Sequence, residues 1–358
     1  MPYSIIIVIH LVFGILIELK TPKKNLFGLY MLIVVSVILL AGLRGAIEGD
    51  YLSYYDIFKS SITSTNKELI IEPLYFLFNK FINNLGLNFQ IVIIIMAVIS
   101  VIPKYRFFFR ESPNFGFTAF IYFCTVYFIF DFIQIRQAVT ISLFIIALKF
   151  VIERKIIPYI IIVLFATLIH YSAIILLPGY YLFNRDYRKG GMYLIILICG
   201  FINIMEITTP FLETILTKFG LPTISSDKIL AYSQSTVFSA VSIKQLILGL
   251  LFIFAFKEEN SSSSYHRILL NLFVFGVLFG TLFNGISEVA FRVKWYFFWT
   301  ESLLVVFLIE RFSFGNFLVK IVSYTIVAVF YINSLYLMLD EFSSRGPYIF
   351  PYRTYLND

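Results

Sequence analysis

An arginine set in a greasy stretch is the first residue of this sequence with chemistry to offer. Arg136 lies in Asp131-Phe-Ile-Gln-Ile-Arg136-Gln137, at the end of an apolar run. A charge in or beside hydrocarbon is costly, so such a residue is a functional candidate by default. Its guanidinium carries a permanent charge and a planar fork of donors that suits phosphate, with Gln137 beside it as a further polar contact. The structural alternative is an ion pair with Asp131, or an arginine that snorkels to the interface. A second candidate is His170 in Leu168-Ile-His170-Tyr-Ser172, where an imidazole could take or deliver a proton near neutral pH. A histidine hydrogen-bonded in a core fits the same pattern.

Three further groups of residues could bind a polar ligand. Arg44-Gly45-Ala-Ile-Glu48-Gly49-Asp50-Tyr51-Leu-Ser-Tyr54-Tyr55 combines glycines, carboxylates and tyrosines, which suits a hydroxyl-rich ligand or a solvated turn. Asp50 could also act as a base. Glu72-Pro73 opens an apolar stretch, where Glu72 could bind substrate or serve the helix dipole. In Glu288-Val-Ala-Phe-Arg292-Val-Lys294-Trp295-Tyr296, Arg292 and Lys294 could hold an anionic head group or belong to an aromatic belt. The three histidines, His10, His170 and His266, lack metal-ligand spacing. No glycine-rich phosphate loop or serine elbow is present, so no cofactor is expected.

The elements that must position these groups are membrane helices. The chain has 358 residues, 59% of them hydrophobic and 14% charged, with mean hydropathy +0.88. Runs at 27–43, 89–102, 115–130, 192–208, 268–283 and 317–339 approach or reach the roughly 17–25 residues that cross a bilayer as a helix. An open sheet would leave edge amides unsatisfied in lipid, so the expected class is an all-α, polytopic transmembrane helix bundle. Residues 1–19 lack a basic leader and a small-residue cleavage site, and read as a retained first helix. Cys124 and Cys199 lie inside apolar runs and are expected to be free.

The net charge of +7 is spread over short loops, which argues against nucleic acid as a partner. Basic residues gather at 20–25, 104–111, 153–155, 184–189, 257–267 and 310–316, which the positive-inside rule makes cytoplasmic. The connections 44–87, 131–137, 205–242 and 284–294, and the tail after Asp340, should then face the exterior, with 44–87 and 205–242 as its longer loops. Residues 156–183 have basic clusters at both ends, which favours two short crossings with an apex near His170 over one tilted helix. That gives about twelve membrane segments, or eleven with a single helix, in one domain covering 1–358.

These pieces in this order resemble the EpsG family of Wzy-like polysaccharide polymerases. The resemblance is carried by Arg44-Gly45, Gly49-Asp50-Tyr51 with Tyr54, Glu72-Pro73, Arg136-Gln137 and His170 with Ser172, and later by Arg292 to Tyr296 and Pro351-Tyr352. It implies an enzyme of the bacterial cytoplasmic membrane whose site faces the periplasm or exterior. The activity implied is polymerisation of undecaprenyl-diphosphate-linked oligosaccharide repeat units for O-antigen, capsule or exopolysaccharide, without a metal. Catalysis would fall to His170, Arg136 and Asp50, and substrate binding to Arg44, Tyr51, Tyr54, Glu72, Gln137, Arg292 and Lys294. Membrane lipid and a chain-length regulator are the further partners implied. The competing classes are a lipid-linked oligosaccharide flippase, which should spread charges along a central cavity, and a membrane glycan O-acyltransferase, which should carry its own early histidine and arginine motifs.

Overall fold

The structure, a computed structural model, describes residues 2–62, 71–205, 241–256, 264–284, 287–345 and 352–356. Among them every regular element is helical, and Arg44 and Thr354 form one isolated antiparallel bridge. Six helices are long and apolar enough to span a bilayer and five shorter ones are apolar, so the chain is a multi-pass membrane protein of the all-α class. The expected loop 205–242 falls on residues 206–240, outside the described residues.

Two compact units form, Met1–Leu177 with Val305–Asp358 and Pro178–Leu304. In the first, α1 (Pro2–Glu18) and α2 (Lys23–Gly42) precede two short helices, α3 (Gly49–Ser60) and α4 (Pro73–Asn84). Glu48 caps α3 by accepting from the Asp50 amide at 2.6 Å, and Pro73 occupies the first turn of α4, where no amide donor is needed. Gly86, at φ +70°, turns the chain from α4 into α5 (Phe89–Glu111). The chain returns through α6 (Phe115–Tyr122), which Asn114 caps at the Phe117 amide and which passes into an eleven-residue π-helix, Phe123–Ile133. Close approach of α6 to α1 requires glycine, since a Cβ on Gly116 would collide with the Gly14 backbone.

α7 (Ile135–Ile152) runs parallel to α5, joined where the Ser142 hydroxyl donates to the Ser100 carbonyl. Next come α8 (Ile156–Ile169) and a 3₁₀ segment, Tyr171–Leu176. The Tyr159 hydroxyl donates to the Leu176 carbonyl at 2.5 Å. In one straight helix these residues would lie roughly 25 Å apart. The chain therefore turns back at His170, in the hairpin the charge pattern favours.

Two expected connections are corrected. Lys104 is no loop residue: it lies inside α5, fully buried, with its Nζ 2.6 Å from Asp131 Oδ1 and 3.0 Å from Ser100 Oγ. Asp131, expected in an exterior connection, belongs to the π-helix and also accepts from the Tyr122 hydroxyl at 2.5 Å. The 131–137 connection thus shrinks to Gln134, between the π-helix and α7. Each charge makes the other tolerable in a dry interior, and removing one alone would cost about 3–5 kcal/mol.

Within the first unit, polar ties sort the helix ends into two groups. Asn114 donates to Glu18 at 2.7 Å, and Lys320 of α15 (Phe317–Arg345) bridges Glu18 at 3.5 Å and Glu310 at 2.5 Å. These mark the end that carries the 20–25, 111–114 and 310–316 turns. At the other end lie residues 43–48, the start of α5, His170 and the late segment 352–356.

The second unit holds α9 (Gly179–Leu182), α10 (Lys189–Ile204), α11 (Ile243–Phe256), α12 (Ser264–Leu282) and α13 (Ser287–Phe298). Asn271 of α12 donates to the Phe183 and Arg185 carbonyls at 2.8 Å, and Arg267 to Asn184 at 2.7 Å. Lys244 pairs with Glu301 at 2.7 Å; Glu301 opens α14 (Glu301–Phe312). Cys124 and Cys199 are free thiols.

Candidate functional site

The site of the first unit is built where α4, α7 and the α8 hairpin meet. Glu72 stands at the start of α4 but makes no side-chain cap there. Its carboxylate turns inward instead. Oε2 lies 2.5 Å from Arg136 Nη1, and Oε1 lies 2.8 Å from His170 Nδ1 and 3.4 Å from the Tyr171 amide. A carboxylate only accepts, so Nδ1 of His170 carries the proton of this bond, and the imidazole is fixed in one tautomer and one orientation. Burial opposes the charge on Glu72, but the His170 hydrogen bond and the Arg136 charge outweigh it and hold its carboxyl down at about 2.

Arg136 is also held from its faces. Its guanidinium carbon lies 5.3 Å from the Tyr54 ring centroid and 5.4 Å from that of Tyr75, so α3 and α4 each contribute one aromatic wall. The side chain remains 22% exposed, against 6% for Glu72 and 8% for His170, so the cation is the part an incoming ligand can reach.

A second arginine is built into the neighbouring loop. Arg44, fully buried, donates to the Ala41 carbonyl at 2.8 Å, approaches Glu48 at 3.3 Å and lies over the Phe132 ring at 5.3 Å. Gln90 of α5 donates to the Gly42 and Arg44 carbonyls and accepts from the Tyr51 hydroxyl at 3.3 Å. The late segment clasps the same loop: the Gly45 amide donates to Arg353 at 3.1 Å, the Tyr355 amide to Leu43 at 3.1 Å, and the Tyr352 hydroxyl to Leu40 at 2.9 Å. Burial pushes the Glu48 carboxyl up to about 7, although Arg44 beside it pulls the other way.

Arg136 thus lies between the Tyr54 and Tyr75 rings, while Arg44 sits in the adjoining loop over the Phe132 ring. Arg44 Nε, Arg136 Nε and the Tyr75 hydroxyl are buried and have no hydrogen-bond partner among the described residues. Buried donors are costly to leave unpaired, and Arg136 Nε with the Tyr75 hydroxyl, on either side of one cation–ring contact, suits a ligand rich in acceptor oxygens, such as a diphosphate. No group of three metal-ligating side chains occurs among the described residues.

The structure thus brings together Tyr54, Glu72, Arg136 and His170, while Arg44 is paired with Glu48 in the adjoining loop. Asp50 enters through its charge on Tyr54 and its amide bond to Glu48, and Tyr51 through Gln90. Gln137 is buried on α7. Arg292 and Lys294 belong to the second unit, where Lys294 is buried with its Nζ 5.9 Å from the Trp295 ring centroid. The pairing of Arg136 with Asp131 does not occur, because Asp131 is committed to Lys104. Sequence reasoning missed Tyr75, three residues after Glu72, and Glu48 as the partner of Arg44; the i, i+4 spacing of the latter pair was the available signal.

Beneath the charged cluster lies an apolar cavity of about 240 Å³ between α4, α5, α7 and α8, with Tyr75 and Ile169 at the end nearest the charges. Comparison with known proteins adds one match. The model of the EpsG family covers residues 27–354. No curated protein and no solved structure matches the chain.

Proposed function

The chain belongs to the EpsG family, a family of Wzy-like polymerases, and we propose that it polymerises undecaprenyl-diphosphate-linked oligosaccharide repeat units at the outer face of the bacterial cytoplasmic membrane. Membership points to an exopolysaccharide- or O-antigen-polymerase-like role. The single observation that carries it is the Glu72 carboxylate, which holds a cation on one oxygen and an imidazole on the other.

Glycosyl transfer from a lipid diphosphate needs two things of a protein. The attacking sugar hydroxyl must lose a proton, and the departing diphosphate must be met by positive charge. His170, oriented through Nδ1, is the base that takes the hydroxyl proton on its other ring nitrogen, while Glu72 stabilises the imidazolium that forms. The new C–O bond to the acceptor forms as the bond from the anomeric carbon to the diphosphate oxygen breaks. Arg136, flanked by the Tyr75 ring and hydroxyl, receives the leaving diphosphate, and the proton passes from His170 to that product. Such preorganised donors act strongly in a water-poor site.

Orientation follows from charge. The basic turns of the first unit lie at the end opposite the site, which under the positive-inside rule supports an outer-leaflet position for Arg136 and His170. A chain-length regulator would meet the same outer face. The test is the glycan banding pattern after gene deletion and complementation. Loss of the ladder with a single repeat unit retained supports the polymerase. Loss of every unit identifies a flippase or a ligase that joins glycan to lipid A core, and an intact ladder with altered acylation identifies an acyltransferase; any of these outcomes ends the reading.

A further inference from the structure

The cavity below the charged cluster is lined by nine side chains, of which only Tyr75 carries a polar atom. Its walls lead away from the charges. On α7, Val139 and Leu143 follow Arg136 by about one and two turns, so that Leu143 lies roughly 10 Å deeper along the helix. On α8, Ile169 adjoins His170, and Phe165 lies about one turn further in. Phe165 and Ile99 are each nearly half exposed on the bundle surface, which opens the cavity sideways toward lipid. A ligand with a diphosphate at Arg136 and an attached hydrocarbon chain meets this dry lining first at Tyr75 and Ile169.

We propose that this cavity is the subsite for the head-proximal isoprene units of the lipid carrier, and that it reads the start of the chain without reading its length. The proposal rests on the reading of the cluster above as a lipid-diphosphate site. Continuity argues for the occupant: the charged mouth and the apolar cavity share the α4 and α8 walls, so one amphiphile satisfies both. Size argues for the limit, because about 240 Å³ falls below the roughly 300–1,000 Å³ of sites that enclose a whole drug-sized ligand. Only the first part of a polyprenyl chain fits, and the rest leaves past Phe165 and Ile99 into the bilayer.

The experiment measures binding to the purified full-length chain in detergent, by native mass spectrometry and radioligand competition, with undecaprenyl diphosphate, farnesyl diphosphate and inorganic pyrophosphate as probes. Each buried methylene is worth roughly a fourfold gain in affinity. The two lipid diphosphates should therefore bind within about threefold of each other, and pyrophosphate at least about tenfold more weakly. Leu143→Trp fills the cavity and should weaken both lipid diphosphates by about tenfold, with pyrophosphate unchanged. Ile99→Trp, which fills from the half-exposed side, should do the same should Leu143→Trp fail to fold. Ile146→Trp, exposed on α7 outside the cavity, should change nothing.

Unchanged lipid affinity in both filling variants overturns the proposal, as does displacement of undecaprenyl diphosphate by equimolar phosphatidylglycerol, which would make the occupant an ordinary acyl chain. Undecaprenyl diphosphate binding more than about tenfold tighter than farnesyl diphosphate overturns its indifference to length. The expected affinities in a chain that makes no polymer leave the subsite standing and end the glycosyl-transfer reading. Polymer made by a wild-type chain whose filling variants keep full lipid affinity ends the subsite alone.

Discussion

Replacing Glu72 by Gln keeps the shape of the side chain and removes the charge shared by Arg136 and His170. Two magnitudes follow. The carboxyl is held from 4.5 down to about 2, which corresponds to roughly 3 kcal/mol of favourable interaction, and about 2 after allowing for solvent at the partly exposed Arg136. Thermal stability of the purified chain should fall by that amount, while insertion persists. The catalytic loss should be larger, because an unoriented imidazole forfeits most of the ~10²–10⁴-fold of general base catalysis. Since Glu72 acts through His170, the double variant Glu72→Gln/His170→Ala should make no less polymer than the weaker of the two single variants. Glu72→Asp is one methylene too short to reach both partners at 2.5 and 2.8 Å and should fall between wild type and Gln. The assay is polymer per inserted protein, from quantitative glycan blots normalised to a fluorescent fusion. Wild-type polymer from Glu72→Gln, or losses that multiply in the double variant, would show that the two residues do not work as one device.

Arg136→Ala should reduce polymer by roughly 10²–10³-fold with insertion retained, and Arg136→Lys should restore little, because an ammonium cannot fill the slot between the Tyr54 and Tyr75 rings. Lys104→Met alone should lower the stability of the purified chain by about 3–5 kcal/mol, whereas Lys104→Met with Asp131→Leu should recover most of it, as read from thermal unfolding in detergent. Glu48 and Glu72 should respond oppositely to pH. Folded Glu48 binds its proton up to about 7, so its contribution to stability declines as pH rises from 4.5 to 7, and the difference between wild type and Glu48→Gln should follow that slope. Glu72 contributes above 4.5 and loses its contribution as pH falls toward 2.

The charged residues of the site were legible because charge in an apolar chain is conspicuous. Their partnership was not, because Glu72 meets Arg136 across 64 residues and His170 across 98, and nothing local encodes such a meeting. Lys104 was misread for a physical reason. It follows a proline and precedes Arg106 and Arg110, which looks like the basic edge of a loop, yet a buried carboxylate on another helix draws it into the bundle. That carboxylate sits in a π-helix, a winding without the hydrophobic period that betrays α-helices. The turn at His170 was legible from basic residues at both ends of 156–183, since a single crossing would have put one of those clusters on the wrong side.

The clasp on the Arg44 loop sets a schedule for biogenesis. Leu40 and Tyr352 stand 312 positions apart, and chains grow from the amino end at about 5–20 residues per second. For roughly 15–60 s after the ribosome has made this loop, the segment that will seal it does not exist. A nascent chain halfway through insertion thus carries both Glu72 and Arg136 but an unfastened Arg44 loop, which is clasped only once residues 352–355 have been made.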